Sequence, residues 1–241
     1  MVDLHFIGID ENILHNYVTK VASKYRNVPY HNIHHAFCVV QFTVALMVKS
    51  RIERLVPSKE TFGLLISSLI HDVDHPGLNN LFAVKTSSQL AIIYNDVSVL
   101  ENHHIALGFS IMQMSHEYNI ISEWGTVDAR MFRKLVIHCV ISTDMALHNK
   151  MITELNYHAQ KSPKHFDLDD EKDRLSLYRF ILHGADIADS VRPHSISYQI
   201  SQLVVEEFKN QSKLEKKLGL ELTPFMVLPD DISIAKSEIG F

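Results

Sequence analysis

The sequence predicts a single all-α domain of packed helices, and three observations carry that expectation. Of 241 residues only 8 are Gly and 7 Pro, so few positions interrupt regular structure. Apolar residues recur at helical spacing over long stretches, and few stretches alternate apolar with polar as half-buried strands do. Apolar residues make up 46%, enough for a sizeable core and too many for a disordered chain. No repeat, low-complexity segment or linker divides the sequence, so residues 1–241 are expected to form one domain with helices in layers.

The elements follow in order. Asp10 can cap a first helix carrying Ile13, Leu14, Tyr17, Val18 and Val21 on one face, and Asn27-Val28-Pro29 breaks it. A second helix is expected from Tyr30 into Arg54, with Ile33, Phe37, Val40, Val44 and Met47 inward. Val56-Pro57-Ser58 separates it from a third, apolar from Gly63 to Ile70, that runs on through His71-Asp72-Val73-Asp74-His75 until Pro76-Gly77 stops it. Gly77 to Asn95 reads as short helical turns joined by loops. Ser98-Val99-Leu100-Glu101 fits a capping box for a helix through Ile105, Phe109 and Met112, which already gives Glu101 a structural role.

Thr126 or Asp128 can cap the next helix, with Met131, Leu135, Val136, Cys139 and Val140 inward; it carries Thr143-Asp144-Met145 and can extend past His148. After a loop from Lys161 to Asp170, Leu175, Tyr178, Leu182 and Ala185 mark a helix reaching His183-Gly184-Ala185-Asp186. A long helix follows Arg192-Pro193, with Leu203, Val204, Phe208 and the acidic pair Glu206-Glu207; residues 213–217 (KLEKK) read as a solvated face of mixed charge. Asp230-Asp231 look like the start of a further helix containing Ile232, Ala235 and Ile239.

Several function classes are disfavoured. A net charge of −5 with no basic stripe argues against nucleic acid as the main partner. Cys38 and Cys139 are too few for a thiolate zinc site and read as reduced core residues of a reducing compartment. The N-terminus lacks a signal-peptide pattern and no run approaches a membrane span, so a soluble, cytoplasmic protein is expected.

Histidine is the anomaly, with 16 residues, several in tight groups. The apolar run ending at Ile70 delivers His71, Asp72, Asp74 and His75, and such groups are costly to bury unless something pairs with them. A solvated helix end is the competing explanation, but a metal site accounts for more. His75 is expected one turn beyond His71 on the same helical face, and His31 and His35 likewise share a face. With Asp186 on an apolar helix, two His and two Asp can hold a Zn²⁺-like ion and leave positions for water. Asp72 has two oxygens and could bridge to a second, harder ion held mostly by water, which suits Mg²⁺ or Mn²⁺. Paired ions generate hydroxide at neutral pH and neutralise phosphoryl oxygens.

Tyr30-His31-Asn32-Ile33-His34-His35-Ala36 resembles the YHNxxHA signature of the class I cyclic nucleotide phosphodiesterases. HDVDHPG (71–77), LENHH (100–104), TDM (143–145) and HGADIAD (183–189) are similar to further blocks of that family, in the family's order. The wider H…HD…D arrangement belongs to the HD-domain phosphohydrolases. The resemblance implies His35, His71, Asp72 and Asp186 as metal ligands, with Asp72 bridging and His34 a neighbour only. It implies His75, Glu101 and Thr143 as residues that order metal-bound water. His31 matches the general acid that protonates the leaving O3′, and Glu207 the carboxylate that steadies it. Tyr30, Met145, Val204, Phe208 and Phe241 match positions around the base. The implied reaction is hydrolysis of cAMP or cGMP to the 5′-monophosphate, by in-line attack of a metal-held hydroxide.

Two departures from the family stand out. Glu238 lies three residues before Phe241, where the family carries Gln, and an ionised Glu only accepts hydrogen bonds. Asp189 stands where several members carry Asn, a second carboxylate by the same pocket. The family's catalytic domains extend beyond both ends of this sequence, so a truncated domain is expected, with C-terminal helices missing, apolar surface exposed and a tendency to dimerise. Two other readings stay open: another HD-type nucleotide phosphohydrolase, and a metal-binding homologue impaired by Glu238 and truncation.

Overall fold

Gly63 lets two central helices approach closely. It lies in α3 (Ser58–Ile70), and a Cβ there would sit 3.2 Å from Leu135 and 3.4 Å from Phe132 of α7 (Thr126–Ile141). Nine of the 13 residues of α3 are buried, because both its sides pack. Phe62, Ile66 and Ile70 join Val136 and Val140 in one apolar cluster with Tyr17 and Trp124, while Leu64, Leu135 and Cys139 join a second with Val39, Met47, Tyr178 and Leu182. The computed structural model describes residues 2–160 and 166–227. Among them are ten α-helices and no strand, the all-α domain expected.

The other helices are α1 (Glu11–Ala22), α2 (Ile33–Ser50), α4 (Asn80–Lys85), α5 (Gln89–Ile93), α6 (Val99–Met114), α8 (His148–Gln160), α9 (Glu171–Asp186) and α10 (His194–Lys217). The layers follow from these contacts: α2 and α9 pack on one side of the α3–α7 pair, and α1 and α6 on the other. Asp10 caps α1 as expected, its carboxylate accepting from the N–H groups of Asn12 (2.8 Å) and Ile13 (3.1 Å). The short α4 and α5 fill the segment expected to hold turns.

Several boundaries differ from expectation, each for a local reason. Helix α2 begins at Ile33, not Tyr30, because Asn32 is extended and its side chain accepts from the His34 N–H (2.8 Å). It ends at Ser50, since Arg51 takes a left-handed conformation. Its buried face holds His35, Ala36, Val39, Thr43 and Met47, so Phe37 and Val44 point outward, Phe37 being 67% exposed. Helix α3 stops at Ile70, before Pro76-Gly77, with His71 as its C-cap, so His71 and His75 do not share a helical face. The capping box at Ser98 does not form. Ser98 is left-handed and donates to Asp144 (2.7 Å), and Asn80 caps α6 from a distance by accepting from the Leu100 N–H (2.9 Å). Neither Thr126 nor Asp128 caps α7, which starts after an extended Gly125. The chain turns after Ile141, so α8 is a separate helix.

Charge is also buried where the sequence suggested a solvated face. Glu215 of the 213–217 run is fully buried, accepting from the backbone N–H (2.8 Å) and hydroxyl (2.6 Å) of Thr223. Cys139 is buried as expected, whereas Cys38 is only half-buried. The expectation that no run approaches a membrane span fails for α2, whose 18 residues have a mean hydropathy of 1.3. That helix packs on α3 and α9 and carries His35 into the interior, while Phe37, Val44 and Val48 stay exposed. The helix expected after Asp230-Asp231 lies outside the described residues, as do Glu238 and Phe241.

One buried ion pair ties α9 to α3. Glu60 accepts from Arg174 Nε (2.8 Å) and Nη2 (2.9 Å) and from the Tyr178 hydroxyl (2.8 Å). Removing one partner strands the other charge, so Arg174→Met is expected to cost about 3 kcal/mol, measured by urea unfolding. The double variant Glu60→Gln/Arg174→Met, which keeps an acceptor for the Tyr178 hydroxyl, should recover most of that loss; equal losses in both would show that a stranded charge is not the cause.

Candidate metal centre and active site

The ends of α2, α3 and α9 converge at one place. His35 sits in the first turn of α2, His71 and Asp72 in the turn that closes α3, and Asp186 is the last residue of α9. One ligand atom from each lies within 4.8 Å of the others. His35 Nε2 is 2.9 Å from Asp186 Oδ1 and 3.5 Å from Asp72 Oδ2, and His71 Nε2 is 3.1 Å from Asp72 Oδ2 and 3.2 Å from Asp186 Oδ1. The two Nε2 atoms face each other at 3.2 Å. His71 is locked in this orientation because its Nδ1–H donates to the Ser68 carbonyl (2.9 Å), which leaves Nε2 for the cluster.

The electrostatics of the cluster call for a cation. Burial alone would lower the pKa of His71, yet Asp72 and Asp186 outweigh it and hold it well above its ordinary value. Burial likewise opposes the rise of His35, which its hydrogen bond to Asp186 and the nearby Asp189 carboxylate nevertheless push to about 9. Asp72 and Asp186 are held low, against the effect of burial, chiefly by His71. Two imidazoles and two carboxylates therefore stabilise positive charge at their centre, whether a proton or a metal ion supplies it. The donor set fits a divalent ion with nitrogen and oxygen ligands.

A second group stands beside the first. His31 precedes α2 in a turn rather than riding on it, and its Nδ1 is hydrogen-bonded to Glu207 of α10. The other Glu207 oxygen accepts from the backbone N–H groups of Tyr30 (3.0 Å) and His31 (3.2 Å). Glu207 is 4% exposed, and although burial works against it, His31 keeps its carboxyl below the ordinary value. His75 stacks on His31 with ring centroids 4.0 Å apart. Burial and then the neighbouring His31 push His75 well below the usual imidazole range, and its Nδ1 accepts from the Gly77 N–H (3.1 Å).

The remaining candidates divide. The Asp189 carboxylate accepts from the Tyr30 hydroxyl (3.0 Å) and Arg192 Nε (2.8 Å), and lies 3.6 Å from His35 Nδ1. Those contacts place it behind His35. Thr143 is buried with its hydroxyl on the Val140 carbonyl (2.8 Å), and Met145 is exposed in a short 3₁₀ turn. Val204 and Phe208 are half-buried on α10, where Phe208 packs edge-on against Phe225 with centroids 5.8 Å apart. A cavity of about 200 Å³ between α7, α8 and α9, walled by Ile137, Ile141, Leu147 and Met151, contains none of the expected site residues.

Sequence reasoning missed His104, Asn80 and Arg192. His104 donates through Nδ1 to the Val73 carbonyl (2.7 Å), with Nε2 3.8 Å from Asp72 Oδ1, and burial lowers its pKa to about 4. Its spacing from Gly108 and Ile111 on the inner face of α6 was the available signal. Asp74, grouped with the metal residues by sequence, points away to Arg26 and His103 instead.

Glu101 is buried, with both oxygens accepting from the Asn80 amide (3.2 and 2.9 Å). Burial, followed by the Asp144 charge, pushes its carboxyl up from 4.5 to about 7. Because the folded value is raised, its stabilising contribution is complete below about 4.5 and is lost as pH rises through about 7. Glu101→Gln keeps an acceptor for Asn80 and removes the titration. In chelator-treated protein, urea unfolding across that range should give a flatter stability–pH curve for the variant; parallel curves would refute the assignment.

Fold and site together define an all-α domain with a buried His/Asp cluster able to hold metal. The family model described as 3′5′-cyclic nucleotide phosphodiesterase matches residues 30–241, and the chain belongs to that metal-dependent family. The high affinity cGMP-specific 3′,5′-cyclic phosphodiesterase 9A of Drosophila melanogaster is 33% identical over 100% of this chain and 16% of its own length. The 3′,5′-cyclic-AMP phosphodiesterase 4C of Rattus norvegicus is 33% identical over 96% of this chain and 44% of its own. The chain thus spans less than half the length of these curated relatives. The crystal structure of the phosphodiesterase domain of the RhoPDE fusion protein from the choanoflagellate Salpingoeca rosetta superposes with a TM-score of 0.92 at 33% identity, over 99% of this chain and 74% of that one.

Proposed function

We propose that the protein hydrolyses 3′,5′-cyclic nucleotides to 5′-nucleoside monophosphates. The observation that carries this reading is the placement of the His31–Glu207 pair beside the His35–His71–Asp72–Asp186 cluster. We assign those four residues as ligands for Zn²⁺ in a first site, with Asp72 shared with Mg²⁺ or Mn²⁺ in a second. When bound, such ions polarise the phosphoryl group and acidify water.

The chain's own residues do the rest. Glu207, fixed by the Tyr30 and His31 N–H groups, holds His31 through Nδ1 and leaves its Nε2 free. From Nε2 His31 gives a proton to the departing O3′, while water supplies the oxygen that joins phosphorus. His75, Glu101 and Thr143 are assigned to ordering that water. Tyr30, Met145, Val204 and Phe208 are assigned to the side on which the nucleoside lies. Asp189 we assign to orienting His35, whose Nδ1 it faces at 3.6 Å while Tyr30 and Arg192 hold it in place.

The test is direct. Purified protein with Mg²⁺ or Mn²⁺ should release AMP from cAMP or GMP from cGMP, resolved by chromatography. No release from either, with the metal sites filled, would overturn the proposal.

A further inference from the structure

Asp74 is a non-glycine residue in the left-handed region, with φ +66°. It sits in the turn that follows α3, between Asp72 and His75. Asp visits this region more readily than most residues, but it still needs something to hold it there. Two partners do. Arg26 Nε donates to Oδ1 (2.6 Å), and His103 Nε2 contacts Oδ2 (2.8 Å). The turn is pinned at three further points: His104 Nδ1–H donates to the Val73 carbonyl, the His75 N–H to the Asp72 carbonyl (3.0 Å), and the Tyr25 hydroxyl to the Leu69 carbonyl (2.7 Å).

The partners of Asp74 are not scattered. Arg26 lies in the segment that leads through Pro29 and Tyr30 to His31, and His103 lies on α6 between Glu101 and His104. One carboxylate therefore joins three stretches of chain, each delivering a residue to the site: the His31 segment, the Asp72–His75 turn and the first turns of α6.

We infer that Asp74 is a positioning residue, whose clamp between Arg26 and His103 sets the left-handed turn that aims Asp72 and His75 into the metal centre. None of the three clamp residues contacts the cluster itself. Their effect passes through the backbone of residues 72–75, and groups that orient ligands in this way are worth about 10–100-fold in metal affinity. The inference rests on reading the His/Asp cluster as a metal site.

The test is Zn²⁺ affinity, measured by competition with a chromophoric chelator, in wild type and in three variants. Asp74→Gly admits the left-handed turn without the clamp, and Arg26→Met/His103→Leu removes both donors while keeping Asp74. Both should weaken Zn²⁺ binding by about 10–100-fold, measured under conditions where circular dichroism shows each chelator-treated variant to be folded. Asp74→Asn tolerates the same backbone and keeps one acceptor oxygen, so it should recover much of the affinity. Wild-type affinity in either the Asp74→Gly or the Arg26→Met/His103→Leu protein would overturn the inference. A wild-type protein that binds no Zn²⁺ would instead overturn the metal reading beneath it.

Discussion

Asp72→Asn is expected to reduce cyclic nucleotide hydrolysis by at least about 10³-fold, beyond what loss of a single oxyanion donor costs an enzyme. The substitution changes little in shape, but it removes charge where His35 and His71 both face an oxygen, at 3.5 and 3.1 Å. An amide is a weak metal ligand and cannot balance two imidazoles that lean towards carrying protons. Metal content, measured by plasma mass spectrometry after dialysis, should fall together with activity. A variant that keeps full occupancy and wild-type turnover would show that Asp72 does not bridge metal ions.

His31→Ala should separate the two halves of the site. His31 lies outside the ligand cluster, so the variant should keep its metal while losing about 10²–10⁴ in rate, the usual worth of a positioned general acid. The loss depends on the leaving group. A 3′-alkoxide must be protonated as it departs, whereas a nitrophenolate need not be. The variant should therefore hydrolyse a nitrophenyl phosphodiester at nearly the wild-type rate. An equal loss on both substrates would mean that His31 does something other than deliver a proton.

The fold class was legible in the sequence because helical periodicity depends on residue type and coarse spacing, and the His/Asp cluster because its residues lie in motif blocks that resemble a known family. Helical periodicity survives errors of a few residues, and His35, His71, Asp72 and Asp186 are recognisable wherever their helices end. The ends themselves were not legible. Tyr30 to Arg54 reads as one helix, but Asn32 competes for the first N–H groups and Arg51 reverses hand, which places His31 in a turn. The same limit hid the loop at His71: an apolar helix running into HDVDH gives no sign that Asp74 will turn left-handed. Partners chosen across the fold were beyond reach for another reason. Asn80 caps α6 from 20 residues upstream, and Arg192 engages Asp189 and α2 at once, pairings that exist only after the helices have docked. Buried Glu215 belongs with these, since the 213–217 run reads as a solvated face.

The residues of the His/Asp cluster are far apart along the chain: His35 and Asp186, in contact through Nε2 and Oδ1, are separated by 151 residues. No shorter piece of the sequence contains the whole site, so a metal ion has little to bind in the unfolded chain. Whatever binds only the folded form adds to its stability by mass action, about 2.7 kcal/mol at an ion concentration 100 times the dissociation constant. An ion held by all four residues would work as a reversible cross-link that closes most of the polypeptide into one loop. A cell that restricts metal supply would weaken the protein's hold on its own folded state along with its chemistry.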